Sequence, residues 1–158
     1  MRSDPSDRQG WLQLAALHVQ RKDFDRAAAV MELAHRQGML TEPAERRQLA
    51  SLFMKAGAPY EAGALLKQWL SRDELPADPA SLGMLADAWS GARETDQAID
   101  ALNRLNAVAP SSKSWLQLGR LQMEQARWAE AEQSLSRALA QADDIPSDQN
   151  LSLTHILR

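Results

Sequence analysis

Few side chains of this 158-residue chain belong to the types that catalyse reactions or bind metals. The chain has no cysteine, which excludes disulfides, thiolate zinc sites and a cysteine nucleophile. The three histidines, His18, His35 and His155, are not paired at i, i+4 spacing and have no carboxylate at metal-ligand spacing. Asp23 and Asp25 lack the further ligands of a calcium loop. We therefore expect no catalytic residue, no metal, no cofactor and no enzymatic activity.

The composition favours helices over strands. Alanine (27) and leucine (23) are the commonest residues, whereas valine, isoleucine and threonine occur three times each. Helices prefer alanine and leucine, and strands prefer the β-branched residues. The net charge is −3 and no segment is basic, so we expect no nucleic-acid partner. No apolar run approaches the ~18 residues of a membrane helix, so we expect no membrane insertion. The chain is predicted to be all-α.

A repeat runs through the chain. The segment WLQLAALHVQRKDFDRAAAVMELA begins at Trp11, and WLQLGRLQMEQARWAEAEQSLSRAL begins at Trp115. Three columns of aligned positions mark four copies: a small residue in the first helix, an alanine in the second, and an apolar residue one turn later. These columns are Ala15, Ala50, Ala86 and Gly119; Ala27, Ala62, Ala98 and Ala131; and Met31, Leu66, Leu102 and Leu135. Small residues at these positions indicate helices that approach closely, and leucines one turn further indicate a buried stripe.

Capping and breaking residues divide the repeats into eight helices. Pro59 and Pro79 are typical of a first helical turn, Asp23 and Asp78 of an N-cap, and Gly38 of the position after a helix. The predicted helices cover residues 8–20, 24–37, 44–56, 60–71, 80–91, 96–107, 113–125 and 128–141.

A period near 34 residues with two helices in each copy resembles tetratricopeptide (TPR) repeats. The resemblance covers about residues 8–143. It implies an α-α superhelix (a TPR solenoid) of about four helix-turn-helix repeats in a single domain over residues 1–158. The repeats are expected at about 8–42, 43–78, 79–111 and 112–144, and 145–158 is interpreted as a C-terminal cap or a truncated fifth repeat.

The five tryptophans are divided by this alignment. Trp11, Trp89, Trp115 and Trp128 fall in core columns and are predicted to be buried. Trp69 occupies a column that usually holds alanine, and we expect it to fill a gap between repeats.

A narrower resemblance rests on residues 30–66 and 85–102, which contain GAPYEA and AWSGARE. These stretches resemble the TPR region of Gram-negative bacterial proteins assigned to TonB systems. The resemblance implies a periplasmic location and partners among TonB-system components. The start of the chain, MRSDPSDRQG, has no apolar stretch and does not resemble a signal peptide, which leaves a cytoplasmic location as the alternative.

In stacked TPR repeats, the first helices line a concave face. Arg47 and Arg120, expected to face solvent, could bind carboxylates there, and methionines supply adaptable apolar surface. A glutamine recurs in one column and could bond a peptide backbone. The candidate peptide-binding residues are Gln13, Arg47, Gln48, Ser51, Met54, Lys55, Met84, Asp87, Gln117, Arg120 and Met123. Ser90, Lys113, Leu116 and Glu124 share the same face.

The sequence thus predicts a scaffold or adaptor that binds a peptide or helix of a partner protein in the concave groove. The alternative is a structural module that self-associates as a homo-oligomer, or docks within a larger protein, through the ends of its solenoid.

Overall fold

The computed structural model describes residues 5–144, with side chains described for residues 7–142. His155 and the cap or partial repeat predicted for 145–158 lie outside the described residues. Residues 5–144 form eight α-helices and no strand, as the composition predicts. The helices are α1 (Pro5–Gln20), α2 (Phe24–Arg36), α3 (Pro43–Lys55), α4 (Pro59–Ser71), α5 (Pro79–Gly91), α6 (Thr95–Val108), α7 (Ser112–Glu124) and α8 (Trp128–Ala140). A short 3-10 helix, Gln141–Asp144, follows α8.

The chain divides into two compact units, Met1–Ala77 and Asp78–Arg158. In the first unit α1 packs on α2, α2 on α3 and α3 on α4. In the second unit α5 packs on α6, α6 on α7 and α7 on α8. Successive helices therefore pack in pairs, as the repeat predicts, and the division between the units falls at the predicted border of the second and third repeats.

The small-residue columns lie where paired helices meet. Ala27, Ala62, Ala98 and Ala131 are fully or almost fully buried. Gly119 is a tight position, because a Cβ placed there would lie 2.8 Å from Cγ and Cδ2 of Leu135. The close approach of α7 and α8 therefore depends on the absence of a side chain at Gly119, which confirms the predicted role of this column.

One member of a core column is exposed. Leu49, Leu85 and Leu118 are buried, whereas the equivalent Leu14 is 43% exposed. Helix α3 packs against both α2 and α4, but the main packing partner of α1 is α2. The outer side of α1 therefore has no second helix over it within the described residues.

The predicted helix ends are confirmed. Oδ1 of Asp23 accepts a hydrogen bond from the Arg26 amide at 3.3 Å, and Oδ1 of Asp78 accepts one from the Ser81 amide at 2.8 Å. Pro59 and Pro79 begin α4 and α5. Gly38 follows α2 with φ of +72°, a conformation that favours glycine.

Replacing Asp78 with alanine should lower the free energy of unfolding by ~1 kcal/mol, because the Ser81 amide loses its cap. Denaturant unfolding of the full chain measures the loss. Asp78→Asn is the matched control, since an asparagine side chain also caps a helix. An equal loss in both variants would show that capping is not the contribution of Asp78.

The burial of the tryptophans agrees only in part with expectation: Trp89 is buried, whereas Trp11 and Trp115, also assigned to core columns, are half-buried. Trp69 is buried at 1% exposure inside the first unit, with the His35 ring edge-on at 5.3 Å, so it fills the core between α2 and α4. Trp128, predicted to be buried, is 64% exposed, and that prediction is wrong. The equivalent aromatic residue of the first repeat, Phe24, lies under Lys55 of the following α3, with Nζ 5.5 Å from the ring. No α-helix follows α8 within residues 5–144 to cover Trp128 in the same way.

In the first unit, the Arg46 side chain links the loop after α2 to the loop after α4. The guanidinium of Arg46 donates hydrogen bonds to the carbonyl oxygens of Leu40 and Glu74. Burial lowers the pKa of His35, and the charge of Arg46 lowers it further. Both effects favour the neutral form of the ring that packs on Trp69.

Candidate functional site

A groove with a cavity volume of about 370 Å³ lies between α5 and α7 in the second unit. Helix α5 contributes Asp87 and Ser90 to its lining. The remaining lining residues come from α7 at spacings of three and four: Lys113, Leu116, Gln117, Arg120, Leu121 and Glu124. Residues at these spacings lie on one face of a helix, so the sequence of α7 alone places them together.

Helix α7 is held in position by buried serines at its start. Ser111 caps the helix, with Oγ accepting from the Ser114 amide at 3.1 Å. The Ser114 hydroxyl donates to Oδ1 of Asn106 on α6, and the Ser112 hydroxyl donates to the Ala138 carbonyl of α8 at 2.8 Å. Ser112, Ser114 and Asn106 are all buried. These bonds fix the N-terminal end of α7 against both neighbouring helices, which gives the groove one rigid wall.

The groove combines an apolar floor with a charged rim. Leu116 and Leu121 are half-buried and supply the floor. Nε2 of Gln117 reaches across the groove and donates to the Ser90 hydroxyl at 3.4 Å. The rim carries two acids and two bases, all exposed: Asp87, Glu124, Lys113 and Arg120. Such a lining suits a ligand that has apolar groups, backbone amides and charges of both signs.

Three of the eleven candidate residues meet in this groove: Asp87, Gln117 and Arg120. Ser90, Lys113, Leu116 and Glu124, which the sequence places on the same face, join them. Met84 on α5 is half-buried and Met123 on α7 is exposed, and neither lines the groove. Leu121 was not anticipated from the sequence, although its position one turn after Gln117 could have indicated it.

The other six candidates lie in the first unit. Gln13 lies on α1 and is exposed. The rest lie on α3, where Gln48 and Lys55 are exposed while Arg47, Ser51 and Met54 are half-buried. Arg47 was expected to face solvent, and its side chain is half-buried. Arg47 precedes the buried Ala50 by three residues, so it lies at the border of the packed face of α3, and it has an interaction of its own.

Two other kinds of site were sought in the described part of the chain. No three histidine, aspartate or glutamate side chains within residues 7–142 gather closely enough to hold a metal ion. Among residues 5–144, no helix is both long and apolar enough to cross a bilayer.

Comparison with known proteins identifies the fold. The tetratricopeptide-repeat profile matches residues 114–149, which cover α7 from its third residue onward and all of α8. The structure of a MamA double mutant, RS-1 ArsTM, superposes with a TM-score of 0.73 at 16% identity, over 91% of this chain and 80% of that one. A kinesin-light-chain-like protein of nearly identical TPR-like repeats from Podosopora anserina superposes with a TM-score of 0.71 at 22% identity, over 98% of this chain and 85% of that one. The fold is that of tetratricopeptide-repeat proteins.

A third TPR-like structure, MamA residues 41 to the end from Desulfovibrio magneticus RS-1, has a TM-score of 0.71 and 16% identity, over 90% of this chain and 80% of that one. No protein of curated function matches the chain at a significant level of sequence similarity. At these identities the structures establish the TPR fold alone. In TPR terms, α5 and α7 are the first helices of two successive repeats.

Proposed function

We propose that this chain is a non-catalytic scaffold or adaptor that binds a peptide or helix of a partner protein between α5 and α7. The observation that carries the proposal is the composition of the groove, in which an apolar floor lies beneath a rim that carries charges of both signs. The TPR fold supports it, because repeat proteins use extended surfaces of this kind for binding.

The rim charges indicate how a ligand would be selected. Lys113 and Arg120 are seven residues apart on α7, which corresponds to ~10 Å along a helix axis. An extended peptide rises ~3.3 Å per residue, so the two cations would face positions about three residues apart. Glu124 lies one turn beyond Arg120 and would face a basic or neutral position. The groove therefore favours a segment with two spaced acids, a following base and apolar side chains for the Leu116–Leu121 floor.

Reversing the charge of Arg120 should weaken peptide binding by at least ~1 kcal/mol, about fivefold, because a charge-assisted contact is replaced by repulsion. The ligands are peptides selected from a random display library against the parent chain, and calorimetric titration measures their affinity. The loss should shrink at higher salt, given a screening length of ~8 Å at physiological ionic strength. Arg104→Glu is the matched control, since Arg104 is exposed on α6 away from the groove.

A second variant tests the apolar floor. Leu116→Asp should also reduce the affinity of the selected peptides, with circular dichroism showing an unchanged helix content. Affinities that are unaffected in both Arg120→Glu and Leu116→Asp would place the binding surface elsewhere.

A more specific form of the proposal follows from the sequence resemblance: the partners are TonB-system components and the location is periplasmic. Titration of purified TonB-system proteins from the source organism tests this form. Binding that is lost in Arg120→Glu and kept in Arg104→Glu supports it, and the absence of binding to all components would contradict it. Gln48→Ala tests whether the candidate residues on α1 and α3 of the first unit also contact a partner.

The alternative function, self-association through an end of the molecule, is favoured by one observation. Leu14 and Leu17, three residues apart on α1, are 43% and 52% exposed. Exposed leucine side chains that share one face of a helix are typical of surfaces that bind another protein. Sedimentation at several concentrations tests this: a mass that rises with concentration in the parent and stays monomeric in Leu17→Glu would support it, whereas a constant mass would exclude it.

A further inference from the structure

A second cavity, of about 300 Å³, lies in the second unit among α6, α7 and α8. Helix α7 lines it with Trp115, Leu118 and Gln122. These positions are offset by about half a turn from Lys113, Gln117 and Arg120, because each residue advances ~100° around a helix. The cavity is therefore on the side of α7 opposite to the groove and does not belong to it.

The base of this cavity contains a buried polar pair. Gln122 is 5% exposed and Ser134 of α8 is 3% exposed. The Ser134 hydroxyl donates to Oε1 of Gln122 at 2.6 Å. The side-chain oxygen of Gln122 therefore already accepts a hydrogen bond. Its NH₂ group can donate hydrogen bonds to a ligand. A buried amide that lines a cavity and has donors to offer indicates a hydrogen-bond acceptor as the ligand.

Two cations stand at the wall of the cavity. The guanidinium of Arg137 lies 4.8 Å from the centre of the Trp115 ring, so its position is held by a cation–π contact. Arg127 pairs with Glu130 at 2.6 Å. The charged lining thus sums to +1, and amide groups of Asn103 and Gln133 provide further donors. An anion with a single charge would neutralise this wall.

We propose that the cavity among α6, α7 and α8 binds a carboxylate group of a peptide, with Arg137 and the Gln122 amide as its recognition groups. A planar guanidinium is suited to a carboxylate, which it can bind through two parallel hydrogen bonds. The carboxylate of Glu130 on the same wall disfavours a dianion such as a phosphate. A volume of about 300 Å³ is at the lower end for ligand sites, so the cavity fits one acidic side chain or one terminal residue rather than a long segment.

The experiment follows the side-chain NH₂ signals of Gln122 and the indole NH signal of Trp115 by NMR in the full ¹⁵N-labelled chain. Three probes separate the possible sources of the carboxylate: acetyl-Ala-Ala-Ala with a free C-terminus, acetyl-Ala-Glu-Ala-amide, and acetyl-Ala-Gln-Ala-amide as the neutral control. Saturable shifts of both signals with either carboxylate probe, and none with the neutral probe, are expected. The probe that binds more tightly identifies the source.

Matched variants show whether Arg137 contributes to binding of the carboxylate. Arg137→Gln should weaken binding of the carboxylate probe at least about fivefold, whereas Arg104→Gln should stay within about twofold. An unchanged Gln117 side-chain signal in Arg137→Gln shows that the unit remains folded. Equal shifts with the neutral probe, unchanged binding in Arg137→Gln, or tighter binding of inorganic phosphate than of carboxylate would overturn the proposal.

Discussion

Replacing Trp69 with alanine should lower the free energy of unfolding by about 3–5 kcal/mol. The side chain is 1% exposed in the first unit, and His35 packs edge-on against it at 5.3 Å. Alanine at this position would remove the largest buried side chain of that core and leave a cavity between α2 and α4. Denaturant unfolding of the full chain measures the loss.

Trp128→Ala is the matched control for this experiment. It removes the same side chain from a helix of the same length, but Trp128 is mostly exposed, so the loss should be no more than about 0.5 kcal/mol. Equal losses in the two variants would contradict the assignment of Trp69 to the core.

Enlarging Ala98 to leucine should lower the free energy of unfolding by ~1–3 kcal/mol or more. Ala98 is fully buried on α6, which packs on α5, and three added carbons have no space there without displacing a neighbour. Ala107→Leu is the matched control on the same helix, because Ala107 is exposed. An Ala98→Leu variant as stable as the parent would show that the repeat register is wrong.

The helices and their ends were predictable because their determinants are local. A cap such as Asp78 acts within three residues, and Pro79 restricts its own backbone, so both can be identified without knowing what packs nearby. The repeat adds the core columns, since equal spacing gives equivalent positions in each pair. Gly119 shows that this reasoning extends to packing, because a side chain at this predicted small position would overlap Leu135 of α8.

Burial at the ends of the repeat array was not predictable in the same way. Leu14 shares its column with the buried Leu49, and Trp128 shares its column with Phe24, so the alignment assigns all four to the core. Burial also requires a neighbouring helix that covers the position. Lys55 of α3 lies over Phe24, whereas no equivalent lies over Trp128 within residues 7–142. Periodicity identifies which side of a helix is apolar and leaves open whether another element covers it.

The helix face that carries the groove was predictable from helical spacing, but the predicted set of groove residues was incomplete. Asp87, Gln117 and Arg120 follow from the period, and the same spacing could have added Leu121, which lies one turn after Gln117. The half-burial of Arg47 could not be predicted from the period, because this residue lies at the edge of the packed face of α3. The cavity beside Gln122 was missed because a glutamine and a serine on different helices give no signal until the fold joins them.

The central claim is that a partner peptide binds between α5 and α7. The most direct measurement is an NMR titration of the full ¹⁵N-labelled chain with the tightest peptide from the display library. We expect the largest saturable shifts at the side-chain amide of Gln117, which donates to Ser90 across the groove, and at the backbone amides of residues 113–124. Largest shifts at Leu14 and Leu17 of α1, or at the Gln122 amide, with an unmoved Gln117 signal, would contradict it.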